Sequence, residues 1–76
     1  MERDIEIRGE LIRLGQLLKL AGVIDAGGEA AAFLATTPVL VNGEAEQRRG
    51  RKLRAGDEVR LGEELLRIVH RPALDG

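Results

Sequence analysis

The chain opens on a period-two pattern. Asp4-Ile5-Glu6-Ile7-Arg8 alternates polar and apolar residues, which predicts a short strand that turns Ile5 and Ile7 to a core and stops at Gly9. The period then changes. Leu14, Leu17, Leu18 and Ala21 fall at i, i+3, i+4 and i+7, the stripe of an amphipathic helix, with Gly22 as its stop. Lys19 lies off that stripe and is expected to face solvent, where a cation near a helix C-terminus complements the macrodipole. A second helix is predicted to enter over residues 25–28. Asp25 or Ala26 stands at the cap, Glu29 in the first turn, and Ala30, Phe33 and Leu34 on the buried face. Pro38 pushes Thr37 to extended geometry and closes this helix by about Thr36. Gly27 and Gly28 are poor helix formers in a first turn. They point to close approach of the two helices, the favoured reading, or to room for a ligand backbone.

Short β signals follow. Val39-Leu40-Val41 runs into Asn42-Gly43, a strong turn pair, with residues 44–46 as a partner strand. Ala55-Gly56-Asp57 reads as a further turn. Residues 58–61 and 65–69 read as strands joined across Gly62-Glu63-Glu64, and residues 72–76 as a frayed tail. The order of strand, helix, helix and several strands is α+β. No repeat, low-complexity tract or linker interrupts it, so residues 1–76 are expected to form one domain.

Charge changes this picture, because it is unevenly spread. Residues 1–47 hold four basic and eight acidic side chains, and residues 55–76 hold three and five. Between them Arg48, Arg49, Arg51, Lys52 and Arg54 place five cations in seven residues with no acid interposed. The overall net charge of −1 conceals this run. Local density decides what a surface attracts, since fields decay over about 8–10 Å in physiological salt. A run rich in guanidinium groups suits phosphate, which it can grip bidentately, although such a run is equally consistent with a solvated loop.

Composition removes most alternatives. The chain has no cysteine and no serine, one histidine (His70) and one aromatic residue (Phe33). No nucleophile–base–acid triad can be assembled from this set, and carboxylates with one imidazole are a poor zinc site. Asp25, Asp57 and Glu58 read as capping and turn residues, and His70, beside Arg71 and Pro72, as an exposed bystander in the tail. An enzyme, a resident cofactor and a small-molecule substrate are not expected. Residues 1–10 resemble no signal peptide, and the apolar runs fall far short of the ~20 residues that cross a bilayer. A cytoplasmic location without membrane contact is expected, and no heptad seam or large apolar face argues against a monomer.

The segments Leu14-Gly15-Gln16-Leu17-Leu18-Lys19-Leu20-Ala21-Gly22, Gly27-Gly28-Glu29-Ala30, Val39-Leu40-Val41-Asn42-Gly43-Glu44, Arg48-Arg49-Gly50-Arg51-Lys52-Leu53 and Gly56-Asp57-Glu58-Val59 resemble, in order and spacing, an S4-type RNA-binding domain. The resemblance covers residues 12–69 and is nearest to the small stand-alone bacterial members of that superfamily, the YaaA-like or YbcJ-like proteins. It implies an S4-like (alpha-L) fold, with two short antiparallel helices packed on a small, twisted, mostly antiparallel sheet. The helix pair and an adjoining loop would form an RNA-facing surface comprising Lys19, Gly27, Gly28, Arg48, Arg49, Arg51, Lys52 and Arg54. Leu53, Val59, Val39 and Val41 would be core. Two positions depart from the family pattern. Ala26 replaces a small hydroxyl residue that would cap the second helix, and Ala31 replaces a lysine. The resemblance therefore implies that more of the affinity falls to the arginine run.

The implied partner is structured RNA, ribosomal or transfer RNA. The chain lacks the aromatic platform on which single-strand binders stack bases, and Phe33 is expected in the core. A β-grasp carrier or protein-interaction module shares the V-x-V-N-G and G-D-x-V turns. Such carriers end in Gly-Gly, whereas this chain ends Leu74-Asp75-Gly76, and two consecutive short helices fit that fold poorly.

Overall fold

A computed structural model describes residues 1–71 of the chain. The predicted tail, residues 72–76, lies outside the described residues. The architecture is α+β. Strand β1 (Glu2–Ile7) and strand β2 (Ile12–Arg13) precede helix α1 (Leu14–Leu20). A 3₁₀ turn (Gly27–Glu29) leads into helix α2 (Ala30–Thr36). Strands β3 (Val39–Val41), β4 (Glu44–Ala45), β5 (Lys52–Leu53), β6 (Glu58–Leu61) and β7 (Glu64–His70) complete the fold. Five strands form a sheet in the order β1-β7-β6-β3-β4, while β2 and β5 pair separately. All pairings are antiparallel except β1 with β7, which run parallel from Glu2↔Leu65 to Ile7↔His70.

The alternation in β1 comes out as predicted, with Ile5 and Ile7 buried and Glu2, Asp4 and Glu6 exposed. The same alternation buries Val59, Leu66, Ile68, Val39 and Val41 on one face of the sheet. There they meet Leu14, Leu17, Leu18 and Ala21 of the first helical stripe and Ala30 and Leu34 of α2. Leu53, also fully buried, carries β5 into the same core. Phe33, expected in the core, is half-buried and packs against its margin. The opposite face stays open, bearing Arg60 and an ion-pair ladder in which Arg67 reaches both Glu2 and Glu58 at 3.0 Å.

The turns are built from the residues that suit them. Asn42 and Gly43 both have positive φ, 50° and 86°, the geometry of the tight hairpin joining β3 to β4. The Asn42 side chain also accepts from Glu58 N at 2.9 Å and donates to Asp57 Oδ1 at 3.1 Å, tying this hairpin to the next strand. Asp57 Oδ2 accepts from Arg54 N at 2.8 Å, so Asp57 is the turn residue it was read to be, whereas Glu58 sits in β6 and pairs with Arg67. His70 is not in a tail. It is the last residue of β7, opposite Ile7, and is held there because Arg71 N donates to Ile7 O at 2.9 Å.

The entry to α2 differs most from expectation. Ala26 occupies the cap of the 3₁₀ turn in extended geometry, and no side chain caps either this turn or α2. Asp25 therefore does not replace the missing hydroxyl. A Cβ added at Gly27 or Gly28 would meet nothing within 4 Å, so these glycines do not bring the helices together. Gly15 does. A Cβ there would lie 3.2 Å from Ala30 Cβ and 3.4 Å from Arg49 Cβ.

Candidate nucleic-acid interface

The basic run is docked against the start of α1, and backbone bonds do the docking. The first turn of any helix leaves N–H groups without intrahelical partners. In α1 two of them are satisfied by the basic run: Leu14 N donates to Arg51 O at 2.8 Å and Gly15 N to Arg49 O at 2.9 Å. The β2–β5 ladder extends this contact, setting Arg13 opposite Lys52 and Ile12 opposite Leu53. Because Leu53 is buried, strand alternation turns Lys52 to the surface. Lys52, expected in a loop, belongs to a short strand. The absent side chain at Gly15 allows α1, α2 and this segment to converge.

One carboxylate organises the bend between β4 and β5. Glu46, expected to end β4, follows that strand directly and is only 7% exposed. Its Oε2 accepts from Gln47 N, Arg48 N and Arg48 Nε, each at 3.1 Å. Its Oε1 accepts from Arg48 Nη2 at 3.2 Å and Arg51 Nη1 at 3.0 Å. The Arg48 side-chain bond, then the Arg48 backbone bond, hold the Glu46 carboxyl down at about 2 against the opposing effect of burial, with Arg51 adding to the lowering. Arg48 is in turn raised by its bond to Glu46. Arg48 and Arg51 are thus tethered cations, although the Arg48 side chain remains 77% exposed and can still meet a ligand.

Two of the hollows that border the bend are lined by cations without an acid. The first, a cleft of about 350 Å³, lies where α1, the 3₁₀ turn and the bend meet. Gly15 and Ala30 line its base, Arg13, Gln16 and Lys19 one wall, and Gly27, Arg49 and Gly50 the rest. Three cations line it and no acid does. The second, of about 400 Å³, is lined by Arg48, Gly50, Arg51 and Lys52. Lys19, Gly27 and Arg49 therefore come together in one cleft, with Arg48, Arg51 and Lys52 around its neighbour. Gly28 and Arg54 line neither, and Arg54 lies just beyond β5 in the turn that Asp57 closes. Arg13, Gln16 and Glu46 were missed. Arg13, Gln16 and Lys19 recur at i, i+3 and i+6, a polar row legible beside the leucine stripe. Glu46, the acid nearest the cationic run, gave no signal beyond that adjacency.

Such an arrangement can seat anionic oxygen. Guanidinium groups offer forked donors and Lys19 a mobile point charge, and the low-lying glycine and alanine let a backbone approach closely. Among the described residues no group of three His, Asp or Glu side chains could hold a metal, and no helix is long and apolar enough to cross a membrane.

Known proteins bear on this geometry. The S4 domain family model matches residues 5–69. A curated protein of Bacillus subtilis (strain 168), the "probable ribosome maturation protein RlbA", is 54% identical over 61 residues, covering 80% of this chain and 86% of that protein.

Proposed function

This chain belongs to the S4 domain family, and from that membership we propose that it is a non-catalytic module that binds structured RNA. Ribosomal RNA in a maturing ribosomal particle is the preferred target. The observation that carries the reading is the acid-free cleft in which Arg13, Lys19 and Arg49 converge beside the tethered arginines. The Bacillus relative, named a probable ribosome maturation protein, supports the ribosomal context. Without a stacking platform, recognition rests on phosphate contours and shape, with little base selectivity. The chain works as one domain and as a cytoplasmic monomer, with Lys19, Gly27, Arg48, Arg49, Arg51 and Lys52 on the contact surface and Gly28 and Arg54 at its margin.

Binding to a folded ribosomal RNA fragment, followed by fluorescence anisotropy across a salt series, tests this. The expected slope of log K against log salt is roughly −2 to −4. Lys19→Ala and Arg49→Ala should each reduce it by about one. Replacing Arg48, Arg49, Arg51 and Lys52 together with alanine should abolish binding while the circular dichroism is unchanged. Equal affinity of that quadruple variant and the parent would sink the reading, as would a preference for an unstructured strand of the same length.

A further inference from the structure

Glu46 is the acid nearest the cationic run, and simple electrostatics assigns it a negative effect on binding any polyanion. Neutralising it would raise the local positive charge, so affinity for RNA should improve. The geometry points to the opposite sign. We infer that Glu46 is a positioning residue of the RNA-binding surface: it folds residues 46–51 around its own carboxylate and thereby aims Arg49 into the cleft and presents Arg48 beside it. This inference rests on the RNA-binding reading proposed above.

Three observations carry it. First, the carboxylate is buried and takes five bonds from the five residues that follow it, two from successive backbone N–H groups and three from two guanidiniums. A buried charge matched this fully holds one local conformation, because any rearrangement leaves it unpaired. Second, the stretch it holds is the one that docks on α1. Arg51 N donates to Arg48 O at 3.2 Å, closing the turn, and the carbonyls of Arg49 and Arg51 receive the Gly15 and Leu14 amides. Arg49 therefore reaches the cleft from a backbone fixed on one side by α1 and on the other by Glu46. Third, Glu46 is itself anchored from behind, as its own N–H donates to Val39 O at 2.9 Å, extending the β3–β4 hairpin. The acid thus relays the rigid sheet to the arginines. Preorganised donors lose less conformational freedom when a phosphate arrives, which is how an anion can strengthen an anion-binding surface.

Glu46→Gln is the decisive variant, measured against the same ribosomal RNA fragment. Loss of the charged acceptor should weaken binding roughly tenfold or more, the scale of a hydrogen bond to a charged group. The effect should shrink in an Arg48→Ala/Arg51→Ala background, because three of the five bonds come from those side chains and only the two backbone bonds remain. Hydrogen exchange at the Leu14 and Gly15 amides should speed up in Glu46→Gln even without RNA. Binding equal to or tighter than the parent's overturns the inference, and so does the same fold-loss in the double-alanine background. Should Glu46→Gln not stay folded at the assay temperature, Glu46→Asp keeps the charge on a shorter stem; parental affinity there would also overturn it. A parent that binds no RNA defeats the functional reading instead. In that case amide exchange still decides whether Glu46 positions the bend, unchanged exchange at Leu14 and Gly15 counting against it.

Discussion

The five-stranded sheet and the small β2–β5 ladder hold their residues by different means. The sheet is secured by side chains: Val59, Leu66 and Ile68 are fully buried against Leu14, Leu17 and Leu18, and non-directional apolar burial sets their positions. The ladder and its bend bury only Leu53 and Glu46, and are secured by directional bonds: two backbone amides of α1, two ladder pairs and one carboxylate. A small domain has little core to distribute, so its scaffold takes the apolar residues. The cationic surface is kept in shape by polar contacts. The two regions should therefore fail separately.

Leu66→Ala should give the largest effect. It opens a cavity in the scaffold at a cost of about 2–5 kcal/mol, a large share of the stability of a domain this size, and binding should be lost only as the fold is lost. Denaturant titration reads the first quantity, and anisotropy on the still-folded fraction reads the second. An affinity loss without a stability loss would erase the distinction between the regions.

Acid probes the ladder side. Glu46 titrates at about 2 in the folded protein, below its ordinary value of 4.5, so the folded form binds fewer protons than the unfolded chain. Its contribution is complete above pH 4.5 and disappears as pH falls through about 2. The shift corresponds to at most about 3 kcal/mol. The stability difference between the parent and Glu46→Gln should therefore be widest at pH 6 and close by pH 2. A gap independent of pH would show that the carboxylate charge is not what holds the bend.

Gly15→Val tests the junction between the regions. Added methyls would press on Ala30 and Arg49, costing about 1–3 kcal/mol as overpacking and displacing Arg49 from the cleft. Gly27→Ala, which meets no atom within 4 Å, should leave stability unchanged or raise it by under about 1 kcal/mol. Equal melting shifts for the two would remove Gly15 from its role. Arg60→Gln, on the open face of the sheet, is expected to have the smallest effect: no change in RNA affinity or salt slope. A measurable change would extend the contact surface beyond the cleft.

Much of the scaffold was legible in advance because its signals are local. Period-two alternation in β1, the leucine stripe of α1, and the Asn42-Gly43 and Gly56-Asp57 turns each state their structure within a few residues. The helix pair and the arginine run that make up the candidate site were legible for the same reason. Apart from Glu46, whose partners lie within five residues, what escaped depends on residues distant in sequence. The β2–β5 ladder has two residues on each strand, too short for any periodicity to show. Gly15 lies in an ordinary helical stretch and acquires its meaning only when Ala30 and Arg49 arrive beside it, while Gly27-Gly28, conspicuous in sequence, crowd nothing.

By itself the order of residues determined that the chain is an α+β protein with a leucine-lined core and a dense cluster of positive charge. Burial drives the first of these and simple counting yields the second. Only the tertiary structure decided which cations are tethered and which line the cleft. A carboxylate selects its partners by distance: Glu46 meets Arg48 and Arg51, two and five residues on, only once the bend has closed, and the bend meets α1 only once β5 has paired with β2.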